Sequence, residues 1–207
     1  MDASRIIKNL YLITPDWDDT DTLLAKTEMA LAAGVKLLQY RNKIANADLK
    51  LQQATALKAL CDQYQAEFMI NDDYQLCCKI DADGVHLGKD DSTIEEVRNF
   101  LGQDKIIGVS CYNDLDRVRD MLNQSCDYIA LGACYPTQTK PDAPRASVEF
   151  IKTVLSLSQK PVVAIGGITL DNCEPIINTG VASIAMIKCV YQAPDISNTI
   201  KTLKAKF

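Results

Sequence analysis

One histidine serves the whole chain, and that scarcity removes most of the common acid–base machinery. A Ser-His-Asp or Cys-His arrangement needs an imidazole beside its nucleophile, and a zinc centre takes its His and Cys ligands at short, characteristic spacings. His86 is the only imidazole, and the eight cysteines, at 61, 77, 78, 111, 126, 134, 173 and 189, contain no C-x-x-C pair. These thiols read as reduced, mostly buried small hydrophobes of a reducing compartment. Long apolar stretches are missing too: the longest run of apolar residues or Gly, Tyr128 to Tyr135, is eight residues. A membrane span needs roughly 18 or more. The N-terminal segment MDASRIIKNLYLITPDWDD has charges scattered through its first residues and no apolar core followed by a small-residue cleavage site, so a cytoplasmic, unprocessed chain is expected. There is no basic tract, and 22 Lys and Arg against 27 Asp and Glu give a net charge of −5. Such a chain lacks the electrostatic footprint of a nucleic-acid or anionic-membrane binder, so an anionic ligand must be held by a local basic cluster against the global field.

What is present is ordinary globular material: 207 residues, 47% hydrophobic and 24% charged. A chain of this length removes about 70% of its unfolded surface from water and needs no metal or disulfide staple. Eight β-rich runs recur along it: 10–14, 35–40, 67–70, 84–87, 105–109, 127–131, 161–165 and 183–188. Segments of helical period or propensity lie between them, such as 21–33, 47–64 and 92–101, with a last one at 195–204. Strand plus helix plus two short connections fits the roughly 26 residues per unit that this spacing allows. The expectation is an α/β chain folded as a single (β/α)8 TIM barrel over residues 1–207. A doubly wound open sheet is the runner-up, weakened because no G-x-G-x-x-G follows the first strand. Asn46, Ser92, Asn113 and Asp171 are the expected helix caps, and Gly34, Gly102 and Gly180 the expected stops.

In such a barrel the chemistry collects just after each strand, at the carboxyl ends. After the second run come Gln39, Arg41 and Lys43, which alternation sends to one face. They form either a solvated strand end or an anion clamp, Arg41 as a fork and Lys43 as a point charge. After the third and fourth stand Asp72 and Asp91. Strand ends lie about 5 Å apart, so these two can share one hard cation such as Mg²⁺, or form plain ion pairs with the nearby cations. His86, between two apolar residues, reads as a packed, hydrogen-bonded core histidine rather than a base. Ser110 follows the fifth run. After the sixth, Thr137, Thr139 and Lys140 offer two hydroxyls and a charge to phosphate oxygens, unless they are merely a loop. Gly166 and Gly167, after the seventh, let a phosphate approach backbone N–H groups.

The assembled set resembles the thiamine phosphate synthase family. The residues that carry the likeness are Tyr11-Leu12-Ile13-Thr14-Pro15, Gln39-x-Arg41-x-Lys43, Ile70-Asn71-Asp72, Gly84-Val85-His86-Leu87-Gly88, Gly108-Val109-Ser110, Tyr135-Pro136-Thr137-x-Thr139-Lys140 and Ile165-Gly166-Gly167-Ile168. They run through essentially the whole chain in order. The resemblance implies a Mg²⁺-dependent transferase that joins 4-amino-5-hydroxymethyl-2-methylpyrimidine diphosphate to 4-methyl-5-(2-phosphoethyl)thiazole, giving thiamine phosphate and diphosphate. It also implies that Gln39, Arg41, Lys43, Asn71 and Lys140 face the pyrimidine diphosphate, that Asp72 and Asp91 bind Mg²⁺, and that Ser110 lies beside the leaving group. Thr137, Thr139 and Gly167 would hold the thiazole phosphate. Its partners are then these small molecules, with no nucleic acid and no membrane; a homo-oligomer is compatible with it.

Five positions depart from the family pattern: Lys89 for Gln, Tyr112 for His, Ala182-Ser183 for Asp-Gly, and Lys188 for a small Ser at the end of strand eight. Lys188 either adds charge at the thiazole phosphate or extends away from the mouth. Two rivals remain at this point. A thiazole tautomerase of the same barrel group uses an active-site histidine, whereas Tyr112 occupies the obvious position here. A non-catalytic binder of thiamine precursors would have no need of both Asp72 and Asp91.

Overall fold

The computed structural model describes residues 7–136 and 145–207. All eight β-rich runs form strands: β1 (Asn9–Ile13), β2 (Leu37–Tyr40), β3 (Glu67–Asn71), β4 (Gly84–Leu87), β5 (Ile106–Tyr112), β6 (Tyr128–Leu131), β7 (Val162–Ile165) and β8 (Ser183–Met186). They pair in parallel in chain order, and β8 pairs with β1, so the sheet is a closed barrel. That closure excludes the open doubly wound alternative. Among the described residues the connections carry α1 (Thr20–Ala32), α2 (Ala47–Tyr64), α3 (Tyr74–Lys79), α4 (Ile94–Leu101), α5 (Leu115–Leu122), α6 (Val148–Leu157), α7 (Glu174–Ile177), α8 (Lys188–Tyr191) and α9 (Ile196–Lys204).

Alternation along the strands builds two apolar layers. On β1, Leu10 and Leu12 pack outward with helix residues such as Leu31, Leu57 and Ile200, while Tyr11 and Ile13 face a separate inner cluster with Met69, Ile106, Tyr128 and Val163. Strands covered on both faces must be apolar throughout, which is why they read as runs rather than as alternating patterns. The amino-terminal rim is tied by polar anchors. Arg98, 6% exposed, donates to Asp127 at 2.6 Å and to the carbonyls of Gly102, Lys105 and Ser125, and Asp127 Oδ2 accepts from the Ile107 N–H. Asp83 accepts from the Phe68 N–H in the same way. Conservative rigidity on that rim leaves the opposite one for chemistry.

Several boundaries differ from expectation. Asn46 caps α2, its Oδ1 accepting from the Leu49 N–H, but Thr93 caps α4 in place of Ser92, and Asp114 caps α5 in place of Asn113. In both cases two capping residues are adjacent, and the one chosen lets the apolar stripe face inward: Ile94 and Val97 in α4, Val118 and Met121 in α5. Asp171 caps nothing; α7 begins after Cys173 with no side-chain cap. Gly34 and Gly102, both at positive φ, stand at the ends of α1 and α4, and Gly180 lies three residues beyond α7. Strand β5 runs on to Tyr112, with a register shift between Ser110 and Tyr112. Strand β8 stops at Met186, so Lys188 opens the short helix α8 and is not a strand residue.

One inner-layer contact fixes a glycine. Gly108 pairs in register with Tyr128, and a Cβ at Gly108 would lie 1.9 Å from the Tyr128 ring. The missing side chain is the space the ring occupies. Gly108→Ala should therefore overpack the barrel and cost about 1–3 kcal/mol, measured by urea unfolding; undiminished stability would mean that the ring has room elsewhere.

Candidate active site

The carboxyl rim of the barrel opens into a cavity of about 530 Å³. Gln39, Arg41, Lys43, Asn71, Asp72, Ser110, Gly166, Gly167 and Lys188 all line it, so nine of the residues picked out from the sequence meet at one mouth. Its floor is apolar, made by Ile13, Ala130, Val163 and Ala185. A volume of this order, apolar below and charged above, suits a ring system carrying anionic groups. Asp91 stands just beyond, against Asp72. Thr137, Thr139 and Lys140 lie outside the described residues.

Local folding explains why the cations face inward. Thr14, fully buried at the end of β1, uses its hydroxyl both to accept from the Arg41 N–H and to donate to the Arg41 carbonyl, each at 2.8 Å. Asp16 then accepts from Arg41 Nη1 through both carboxylate oxygens at 2.9 Å and from the Lys43 N–H at 2.8 Å. The guanidinium is thus oriented before any ligand arrives. Trp17, next along, offers its carbonyl to the amides of Asn42 and Gln53 and packs edge-on against Tyr191. Across the mouth Lys43 Nζ lies 3.6 Å from Asp72 Oδ2, so the ion-pair reading holds for this residue without removing it from the cavity.

Asp72 sits at positive φ, with its N–H donating to the His86 carbonyl at 2.8 Å. Burial first, and then the hydrogen-bonded, like-charged Asp91, push its carboxyl up to about 6, against the pull of Lys43. Asp91 is held in turn by the Gly88 N–H at 2.6 Å. A second carboxylate this close disfavours the charged form of Asp72, because like charges repel. Gly166 and Gly167 both have positive φ, and a Cβ on Gly167 would meet the Pro136 carbonyl at 2.6 Å, so this turn presents bare backbone to the mouth.

The lining also carries a hydrogen-bonded network: His86 is the packed, hydrogen-bonded histidine expected, and what sequence reading missed is its link through Tyr128 and Tyr11 to Gln39. His86 places Nδ1 2.9 Å from the Tyr128 hydroxyl and Nε2 2.9 Å from Ser110 Oγ. The Tyr128 hydroxyl lies 3.0 Å from that of Tyr11, which accepts from Gln39 Nε2 at 2.8 Å. Arg117 also braces Ser110 by donating to its carbonyl and to that of Gly88. Two tyrosines within the strand runs, Tyr11 between Leu10 and Leu12 and Tyr128 before Ile129, were the available signal, because a buried phenol must find a partner. Asp16 carried a weaker one, a carboxylate two residues beyond Thr14. Tyr112 lines the cavity and accepts from the Lys89 N–H at 3.2 Å.

A sequence profile described as thiamine monophosphate synthase matches residues 10–190. The chain is 49% identical over 190 residues to a thiamine-phosphate synthase of Methylobacillus flagellatus, covering 92% of this chain and 90% of the relative. It is 41% identical over 201 residues to that of Nitrosomonas eutropha, covering 97% and 95%. Among solved structures, a thiamine phosphate pyrophosphorylase from Pyrococcus furiosus superposes with a TM-score of 0.88 at 31% identity, covering 98% of this chain and 96% of that one.

Burial depresses the His86 pKa to about 4, the Asp91 charge opposing only weakly. The imidazole should therefore stay neutral through pH 5–8. In the unfolded chain it protonates near 6.5, so this group costs native stability as pH falls from there towards 4. Nitrogen-15 NMR of histidine-labelled protein, which carries one imidazole signal set, should show no protonation above about pH 5; a midpoint near 6.5 would contradict the buried placement.

Proposed function

From the chain's membership of the thiamine monophosphate synthase family, and hence its formation of thiamine phosphate in thiamine biosynthesis, we infer how the named residues divide the work. Substitution at the pyrimidine methylene breaks its C–O bond, the electron pair leaving with diphosphate, and the thiazole nitrogen lone pair forms the new C–N bond. The aminopyrimidine can carry the transient positive charge, so the protein need mainly stabilise the leaving anion and hold the nitrogen in line. No strong base is demanded, in keeping with a neutral His86. The observation that carries this reading is the convergence of Arg41, Lys43 and Lys188 with Asp72 around one cavity with an apolar floor.

In this reading Gln39, Asn71 and Lys43 bind the pyrimidine diphosphate, Arg41 neutralises the departing diphosphate from its Asp16-fixed position, and Ser110 lies beside the same group. Gly166, Gly167 and Lys188 hold the thiazole phosphate, and the resemblance adds Thr137, Thr139 and Lys140 from the adjoining loop. The metal that the resemblance implies is Mg²⁺, which Asp72 and Asp91 would hold. Two adjacent carboxylates, of which Asp91 raises the proton affinity of Asp72, would be a fitting oxygen donor pair for a hard cation. When bound, such an ion neutralises diphosphate charge. The chain's own part is to keep both carboxylates together through the Gly88 N–H and the His86 carbonyl. We further read residues 1–207 as one domain, supported by the pairing of β1 with β8, and as cytoplasmic, supported by eight free cysteines.

Incubating the protein with both substrates should yield thiamine phosphate and diphosphate only when Mg²⁺ is supplied. Asp72→Asn, which keeps shape and removes a charged ligand, should lower activity steeply and raise the Mg²⁺ needed for half-saturation; an unchanged Mg²⁺ titration would remove Asp72 from the metal site.

Lys188 should act as a uniform binder, holding ground state and transition state alike, which lowers KM without raising turnover. Lys188→Ser should weaken thiazole phosphate binding by roughly 1.5–3 kcal/mol, the worth of a charge-assisted hydrogen bond, and leave the pyrimidine KM alone. Equal thiazole KM values at low salt would mean that backbone donors suffice.

A further inference from the structure

We propose that a hydrogen-bonded chain through the barrel, Gln39 to Tyr11 to Tyr128 to His86 to Ser110, fixes the Ser110 hydroxyl as a proton donor into the cavity, with Tyr11, Tyr128 and His86 as positioning residues. The inference rests on the reading that Ser110 lies beside the departing diphosphate.

Direction along the chain follows from hydrogen-bond capacity. The Gln39 amide nitrogen can only donate, so the Tyr11 oxygen accepts. Tyr11 is 1% exposed, and the oxygen within reach of its own proton is that of Tyr128. Tyr128, fully buried, then cannot donate back and gives its proton to His86 Nδ1. A neutral imidazole accepting at Nδ1 carries its proton on Nε2 and donates it to Ser110 Oγ. Ser110 has thereby filled an acceptor position, and its single O–H is left to point towards the cavity it lines. The reverse polarity would leave the Tyr11 proton buried without an acceptor, a costlier arrangement than donation from Tyr11 to Tyr128.

The surroundings are built for this chain. Gly108 is bare where the Tyr128 ring passes, and the ring lies against the imidazole, 26° from parallel with centroids 5.6 Å apart. The register shift after Ser110 turns the strand at the residue where the chain ends. A hydroxyl held as a donor before the substrate binds needs no reorientation as negative charge develops on the leaving oxygen.

Tyr128→Phe keeps the ring and removes the donor to Nδ1. With the single histidine nitrogen-15 labelled, the parent should show unprotonated Nδ1 and protonated Nε2, and Tyr128→Phe should show a mixture of both tautomers. Turnover should fall about 10- to 100-fold, the effect of a slightly misplaced group, with KM values little changed. In a Ser110→Ala background the same substitution should add no further loss, since the chain then has nothing to position. Tyr11→Phe removes the other oxygen within reach of the Tyr128 proton and leaves His86 Nδ1 as its acceptor, so it should keep the parent tautomer; a mixture there would overturn the polarity should Tyr128→Phe fold poorly. A parent histidine protonated on Nδ1, or additive losses in the double variant, would overturn the chain. Parent-like turnover in Ser110→Ala would instead overturn the placement of Ser110 beside the leaving group.

Discussion

Everything in this protein hangs on the pairing of β8 with β1. Because the sheet closes, each strand satisfies its backbone N–H and C=O groups sideways and no edge is left open. Parallel pairing all the way round also points every strand the same way, so eight carboxyl ends must share one rim. Residues as far apart in sequence as Gln39 and Lys188 therefore meet without any segment being dedicated to bringing them together. The opposite rim is spent on rigidity, with Arg98 and Asp127 satisfying backbone groups that a bare strand end would leave unpaired.

Closure alone does not make an anion site in a chain of net charge −5. The mouth solves this by giving its cations local carboxylates. Arg41 is held by Asp16 and Lys43 sits near Asp72, so the positive side chains stay oriented over an apolar floor instead of ranging through solvent. Part of each charge is offset by its partner. What remains is directional, and in a preorganised site direction counts for more than total charge.

How much of this could be read beforehand depends on the range of the interaction concerned. Strands flanked by helices on one side and by an inner layer on the other are continuous apolar runs, so all eight were visible. Residues immediately after those runs, such as Arg41, Asp72 and Ser110, inherit their location from the same periodicity. Cap choice was less visible, because Ser92 beside Thr93 and Asn113 beside Asp114 offer equivalent chemistry and only the packing of Val97 and Val118 decides between them. Asp16, Tyr11 and Tyr128 owe their roles to partners 25 to 117 residues away, and no local pattern encodes such a pairing. Strand β8 was read two residues too long because Ile187 and Lys188 follow its apolar run without a turn residue to stop it.

Gly108 and Tyr128 also constrain the order in which this sequence could change. A side chain at 108 is excluded while the tyrosine ring occupies that space, whereas a smaller residue at 128 would open a void that a side chain at 108 could later fill. Substitution is thus passable in one sequence and blocked in the other: position 128 must shrink first, and in doing so it surrenders the phenol that reaches His86. The two positions behave as one heritable unit, and a lineage that lost the tyrosine and then enlarged residue 108 could not regain it by a single step.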